Sequence, residues 1–442
     1  MGVLYTGQSK APALKTISLE KIREAKVLVV GGGGREHAIV HALSRSPRVA
    51  KIFAAPGNAG MEALAERVPI KDSDIEALAD FATQKGIDLT VVGPEVPLSL
   101  GIADTFKERG LLVFGPGKAA ARIEASKDFA KALMAKYGVP TASYRTFEDF
   151  DEALSYVKAG PLPVVLKYDG LAAGKGVVIP TTIEEAEETL RDMLVDDRFG
   201  KGKVVVEDFL TGPEFSFMCF VDGSKVYPMT LAQDHKRAYE GDKGPNTGGM
   251  GAYSPVPIIP KEDEEFALHS IMEKVADAMV QEGCPFSGVL YGGLMKTPDG
   301  VKVIEFNCRF GDPETEVVLP RLRSDIYTIF ESIALGRDPG PIEWDENPVM
   351  GFVLASNGYP GSYEKGFPIE GLDEALSKEG VGAYHMGTAL RDGVLSTAGG
   401  RVLMVYASAP TLQQAHDKAL EATSKVRCEN LFFRRDIGWR VL

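Results

Sequence analysis

The chain has 442 residues, 44% hydrophobic and 25% charged, which is ordinary globular usage with room for about two to four domains and excludes a collagenous, heptad-repeat or mainly disordered protein. Its net charge of −13, from 49 Lys+Arg against 62 Asp+Glu, argues against nucleic-acid or membrane-surface partners, so an anionic ligand must be held by local donors. Cys219, Cys284, Cys308 and Cys428 match neither a zinc ribbon nor a disulfide framework and point to a reduced, cytoplasmic protein, and no apolar run reaches the roughly 18 residues of a bilayer span.

Residues 1–25 form an N-terminal extension in which Lys10, Lys15, Lys21 and Arg23 are interrupted by Glu20 and Glu24. A surface extension and an organellar transit segment are both open; a secretory signal lacks its apolar stretch. At Lys26–Val30 a continuous apolar run, suited to a buried parallel strand, breaks at Gly31–Gly34 and gives way to helical periodicity through Ala38, Ile39, Ala42 and Leu43. The pattern returns at Ile52–Ala55 before Pro56-Gly57, Leu89–Val92 before Gly93-Pro94, and Leu111–Phe114 before Gly115-Pro116. Strand, glycine turn and helix, repeated over 26–125, predict an open, parallel, Rossmann-like α/β sheet with ligands outside the carboxyl ends of its strands.

A helix is expected from Ala119 to Tyr137, stopping at Gly138-Val139-Pro140. Strands follow at Val164–Lys167, Val177–Ile179, Val204–Glu207, Phe215–Phe220, Val289–Lys296 and Val301–Asn307. Helices are expected near Glu184–Leu194 and Glu264–Glu282, and a long polar loop over Gln233–Tyr253. This is an α+β region over 126–338. After Pro339-Gly340-Pro341, residues 339–442 read as a small α+β domain with strands at Val349–Ala355 and Arg401–Ala407 and a helix at Leu412–Val426.

Gly31-Gly32-Gly33-Gly34-Arg35-Glu36-His37 lies between strand and helix, where backbone N–H groups and the helix dipole favour an anion. A phosphate site and a plain tight turn both fit the run, and His37 is either a ligand-loop residue or a helix histidine. The dinucleotide fingerprint fails, because its third glycine falls on Glu36 and the second strand ends in Pro56-Gly57 instead of an acid. A second glycine loop, Asp169 to Val177, lies between strands and is no Walker A motif, since Gly176 replaces the Ser/Thr. It suits a flap over phosphates, with Gly170, Gly174, Lys175 and Gly176 inside it and Lys167 on the strand before it. Next, Val204–Glu207 leads through Asp208, Phe209 and Leu210 to Glu214. That connector's backbone suits a purine; its final acid suits ribose hydroxyls or plain solvent.

Glu305 and Asn307 are i and i+2 on a strand, so both face one side, and two hard oxygen ligands there suit Mg²⁺ bridging nucleotide phosphates. Arg309 continues the period and suits developing phosphoryl charge. The segments Gln233–Arg237 and Gly244–Gly251 share one donor-rich loop whose length points to function. No G-x-S-x-G, H-E-x-x-H or Cys–His pair offers a different catalytic apparatus, and Cys308 reads as a packing residue.

In this order the motifs resemble the ATP-grasp superfamily, and more closely its phosphoribosylamine–glycine ligase (glycinamide ribonucleotide synthetase) family. The resemblance rests on Gly-Gly-Gly-Gly-Arg-Glu-His-Ala from Gly31, Asp-Gly-Leu-Ala-Ala-Gly-Lys-Gly-Val from Asp169, and Gln-Asp-His-Lys-Arg from Gln233. Gly-Pro-Asn-Thr-Gly-Gly-Met-Gly-Ala-Tyr-Ser-Pro from Gly244 and Glu-Phe-Asn-Cys-Arg-Phe-Gly-Asp-Pro-Glu-Thr from Glu305 complete it, and it runs from Lys26 to Leu442. It implies a central ATP-grasp domain over 126–338 with a flap subdomain over 140–210. The implied reaction phosphorylates the glycine carboxylate with ATP, lets the amine of 5-phosphoribosylamine attack the acyl phosphate, and yields glycinamide ribonucleotide for purine biosynthesis. ATP and Mg²⁺ are the implied cofactors, with Mn²⁺ as a substitute, and the molecule is expected to be a monomer or weak dimer.

By the same resemblance, Lys127, Lys167 and the flap glycines contact ATP phosphates, Glu207, Asp208, Phe209 and Leu210 contact adenine, and Glu214 holds the ribose. Glu305 and Asn307 bind the metal; Arg309, Lys167 and Asp234 are catalytic. Gly33, Gly34, Arg35, Asp234, Thr247, Gly248, Gly249, Met250, Arg309 and Asp312 face the glycine and phosphoribosylamine. Gly292 and Met386 stand where alanine is expected and Ala398 where asparagine is common, and Tyr291–Met295 offers no second metal carboxylate, leaving the number of ions open. Competing readings are another ATP-grasp carboxylate–amine ligase or carboxylase, a nucleotide-binding regulatory or scaffold protein with a degenerate active site, and a nicotinamide-dependent oxidoreductase using the N-terminal sheet.

Overall fold

The computed structural model describes residues 25–172, 176–196 and 198–442; the expected extension before Ala25, and Gly174 and Lys175 of the glycine loop, lie outside them. The expected Rossmann-like pattern is a five-stranded parallel sheet in the order Glu66–Arg67, Val49–Pro56, Ala25–Gly31, Leu89–Val92, Val113–Phe114. Val27, Leu28, Val29 and Val30 are all fully buried, because packing covers both faces of a parallel sheet, and this is why the run is apolar at every position instead of alternating. Helix Gly34–Ser44 begins at the glycine turn that ends the middle strand.

Where one helix was expected from Ala119 to Tyr137 there are two, Lys118–Ala125 and Lys127–Tyr137. Ser126 separates them: its backbone is extended (φ −130°, ψ 112°) and its hydroxyl accepts from Phe129 N at 3.1 Å. A serine side chain caps a helix start better than it serves a helix interior. The break makes Lys127 the first residue of a new helix, beside the glycine loop.

Four antiparallel strands, in the order Tyr144–Phe147, Val204–Asp208, Val164–Tyr168, Val177–Val178, form a flap sheet. With helices Phe150–Ala159 and Ile183–Leu194 it encloses its own apolar core around Leu154, Leu166, Leu190 and Val204. A central antiparallel sheet faces it, in the order Lys225–Pro228, Glu214–Asp222, Ser287–Thr297, Gly300–Asn307. Behind it, the helix expected over Glu264–Glu282 begins earlier, at Lys261, and passes through a π-helical stretch at Ala267–Met272 before ending at Gln281. The wider turn brings Ala267, Ile271 and Met272 into the core together.

The expected polar loop Gln233–Tyr253 is mostly strand. Gln233–Asp234 pairs with Gly251–Ser254, which pairs with Val349–Ser356 of the C-terminal sheet; that sheet continues through Arg401–Ser408 to Val381–His385. Between them Arg237–Tyr239 and Lys243–Asn246 form a separate hairpin turning at Asp242 (φ 54°). The partner of Gly251 is Phe352, so the strand is made by a distant neighbour and not by local propensity. Among the described residues no helix is long and apolar enough to cross a membrane.

Candidate active site

A cavity of about 770 Å³ opens between the flap sheet and the central sheet and extends to Arg35, Glu95 and Glu124 on N-terminal helices and to Arg401 of the C-terminal sheet, a volume suited to a nucleotide and a second small ligand. On the flap side Lys167 sits on an inner strand, not an edge, and is 5% exposed. Its ammonium donates to Ile304 O at 2.8 Å and pairs with Glu207 Oε1 at 2.9 Å. Lys131, from the helix that Ser126 starts, pairs with Glu207 Oε2 at 2.9 Å and donates to Thr141 Oγ1 at 2.8 Å. Burial pulls Lys131 down to about 8 against the opposing pull of Glu207. Glu207 thus spends its carboxylate on two lysines, which leaves its backbone, with Asp208, Phe209 and Leu210, to line the cavity. Lys127 donates to Gly170 O at 3.0 Å, joining the helix start to the glycine loop.

Glu305 and Asn307, at the end of the central edge strand, line the same space. Burial would raise the Glu305 pKa, but Lys236, Lys167, Lys127 and Arg309 outweigh it and hold the carboxylate below its ordinary range. The surroundings of Asn307 direct its amide nitrogen to Phe306 O at 3.1 Å and Glu124 Oε1 at 3.2 Å, and its amide oxygen to the side where donors lie. An ionised carboxylate and an amide oxygen on one strand face are hard oxygen donors, a set that fits a divalent cation. Beyond the strand, Arg309 is held by Glu95 Oε2 at 3.3 Å, Glu124 Oε1 at 2.8 Å and Phe310 O at 3.1 Å. The planar guanidinium is therefore fixed before any ligand arrives.

At the other end Lys236 bridges Glu214 Oε2 (3.5 Å) and Glu305 Oε1 (3.9 Å), tying the connector to the strand that carries Glu305. Beside it Asp234 is pushed up to about 7, first by burial and then, against Lys236, by Glu314, Glu214 and Glu305. Arg401, from the start of a C-terminal strand, donates to Gly248 O at 2.9 Å and Asp312 O at 3.1 Å and pairs with Asp312 Oδ1 at 2.9 Å. Gly248 in turn donates to the Tyr359 hydroxyl at 2.9 Å. Sequence reasoning passed over Arg401, Lys236, Lys131, Glu95 and Glu124; Lys236 stood within a quoted motif, whereas Arg401 acquires a role only by folding against a loop far away in the chain.

Not every expected residue reaches the cavity. Met250 is fully buried in the core, its N–H bonded to His235 O, and Gly33, Gly34 and Gly249 stand behind the lining. The glycine turn's donors are already engaged: Gly33 N bonds Glu36 Oε2 at 2.7 Å and Arg35 N bonds Asp312 Oδ2 at 3.4 Å. Two carboxylates at this helix start weaken the phosphate reading of the run, although Arg35 and Asp312 both line the cavity. A side chain at Gly34 would run into Glu316 Oε1 and come within 2.9 Å of Met386 Cγ. His37 is a buried interface residue whose Nδ1 accepts from His385 N at 2.8 Å, and burial lowers it to about 3.

A lysine-bearing flap sheet folded over an antiparallel sheet that carries Glu-x-Asn, with the cavity between them, defines an ATP-grasp enzyme. The phosphoribosylglycinamide synthetase family matches along the chain: its N domain over 25–124, its ATP-grasp (A) domain over 125–315 and its C domain over 349–440. A phosphoribosylamine–glycine ligase of Halalkalibacterium halodurans is 52% identical over 418 residues, 94% of this chain and 97% of its own. One of Pseudomonas aeruginosa is 48% identical over 422 residues, covering 94% and 98%. The crystal structure of the Thermotoga maritima phosphoribosylamine–glycine ligase superposes with a TM-score of 0.81 at 34% identity, covering 94% of this chain and all of that one. A biotin carboxylase from Campylobacter jejuni shares the fold at 14% identity, TM-score 0.73, covering 94% of each chain. The chain belongs to the phosphoribosylglycinamide synthetase family.

Proposed function

We propose that this chain joins the carboxylate of glycine to the amine of 5-phosphoribosylamine with ATP, releasing ADP, phosphate and glycinamide ribonucleotide in purine biosynthesis. The carrying observation is that one cavity holds two kinds of machinery: Lys127, Lys167, Glu305, Asn307 and Arg309 for a nucleotide, and Asp234, Arg401 and Asp312 beside them for a second reactant. Flap loop and connector hold ATP, with Glu214 at the ribose. Glu305 and Asn307 would hold Mg²⁺, or Mn²⁺ in its place, which would supply positive charge to the phosphates.

A carboxylate is a poor electrophile until it is phosphorylated. A glycine carboxylate oxygen attacks the γ-phosphorus, the bond from that phosphorus to the bridging oxygen breaks, and ADP and glycyl phosphate form; Lys167 and Arg309 face the charge that moves. The amine nitrogen then attacks the glycyl carbonyl carbon, the carbon–oxygen bond to phosphate breaks, and inorganic phosphate leaves. Asp234 accepts the amine's proton. Thr247, Gly248, Arg35 and Asp312, joined through Arg401, border the acceptor. All these residues come from one chain, so a monomer or weak dimer suffices, and the four free cysteines suit the cytoplasm. The test is ADP release by the purified protein with ATP, Mg²⁺ and glycine, with and without phosphoribosylamine formed in the assay. The reading requires release that depends on both reactants and a product with the mass of glycinamide ribonucleotide; ADP release indifferent to the amine sinks it.

A further inference from the structure

The hairpin Arg237–Tyr239/Lys243–Asn246 follows Asp234 closely, yet among the described residues it pairs with no other strand. A lone two-stranded hairpin is marginal in water, so something else must hold it. The end of the chain does. Arg434 is 1% exposed and donates to Arg237 O at 3.0 Å, Asp242 Oδ1 at 3.0 Å and the Asp436 carboxylate at 2.8 Å. Asp436 accepts from Gly241 N at 2.8 Å, Arg435 N donates to Glu240 Oε1 at 3.0 Å, and Arg440 donates to Asp242 Oδ2 at 2.8 Å. Gly438 N donates to Nε2 of His235, the residue between Asp234 and Lys236, at 3.1 Å.

Asp242 carries this arrangement at a cost. Its φ of 54° lies in the left-handed region, where only Asp242 and Asp392 stand among the described non-glycine residues, and such a conformation persists when its surroundings over-determine it. Two arginines, one on each carboxylate oxygen, do so. Both Asp242 and Arg440 also line the cavity, so the contact reaches the site itself. We infer that Arg434–Leu442 is a clamp that sets the position of this hairpin and of Asp234 against the acceptor, with Arg434 as the positioning residue. The part concerning the acceptor rests on the ligase reading above.

Arg434→Met and Asp242→Asn test it in the full-length protein. Asparagine tolerates the left-handed conformation but loses both ion pairs, so it decides the matter should Arg434→Met fail to fold. Backbone hydrogen exchange over 233–247 is expected to quicken at least about tenfold in either variant, a rise that local opening would produce. With a loosened acceptor site, kcat/KM for phosphoribosylamine should fall by roughly 10² in Arg434→Met, while KM for ATP stays within about twofold, since misplacement by about 1 Å costs that much. Arg434→Lys should recover little, because an ammonium cannot span three acceptors in the guanidinium's fork. Unchanged exchange over 233–247, or KM for ATP rising in step with that for phosphoribosylamine, overturns the clamp. A wild-type protein that ligates nothing removes the ligase reading, and the exchange measurement then decides the clamp alone.

Discussion

Asp234 is the residue whose environment says most about the chemistry. Burial and three neighbouring carboxylates raise it to about 7, so it is protonated below that pH and able to accept a proton only above it. Activity limited by the amine's proton loss should therefore rise with pH through about 7, and Asp234→Asn should both lower kcat and flatten that limb; a pH profile of kcat/KM for phosphoribosylamine checks it. Arg309 makes a different prediction. Its guanidinium is fixed by Glu95, Glu124 and Phe310 O, and a lysine reproduces the charge but not the fork. In Arg309→Lys, kcat should fall on the order of 10²-fold, the usual cost of losing one preorganised donor to developing charge, with KM for ATP little changed in steady-state kinetics.

Among elements, the helix Lys127–Tyr137 and the strand Val204–Asp208 meet through Lys131, Glu207 and Lys167. Thr141, which Lys131 holds, donates to Val303 O at 2.7 Å on the strand that ends in Glu305 and Asn307. The network thus joins the root of the flap to the strand of Glu305 and Asn307. Lys131→Met should raise KM for ATP several-fold and cost roughly 1–3 kcal/mol of stability, since Glu207 keeps one of its two cationic partners; kinetics and thermal denaturation read the two effects. Glu305 and Asn307 were legible in the sequence because i, i+2 spacing on a strand is local geometry, and the parallel sheet was legible because unbroken valine and leucine runs end in glycine. The break at Ser126 was overlooked because apolar periodicity runs on either side of it. The strands within 233–254 were hidden by glycines and polar residues: Gly251–Ser254 takes its partner from Val349–Ser356, and Gln233–Asp234 then pairs with Gly251–Ser254.

Across the whole molecule, the site is assembled from segments that only folding unites. Arg309 meets Glu95 across 214 positions of sequence and Arg401 meets Gly248 across 153; no local pattern announces such pairs, which is why Glu305 and Asn307, neighbours on one strand, were legible and Glu95 and Arg401 were not. The flap sheet has its own apolar core and a connector in which Gly212, at φ 144°, leaves no room for a side chain against Lys296 O. If a nucleotide sits between this sheet and the central one, a non-hydrolysable ATP analogue should slow hydrogen exchange over 164–172 and 204–214 while leaving the N-terminal sheet unchanged. Activation of the glycine carboxylate by ATP is followed most directly with glycine carrying ¹⁸O in both carboxylate oxygens. If glycyl phosphate forms and the amine displaces phosphate, each turnover places one ¹⁸O in the released phosphate and leaves one in the amide; phosphate free of ¹⁸O, with ligation intact, would contradict the mechanism.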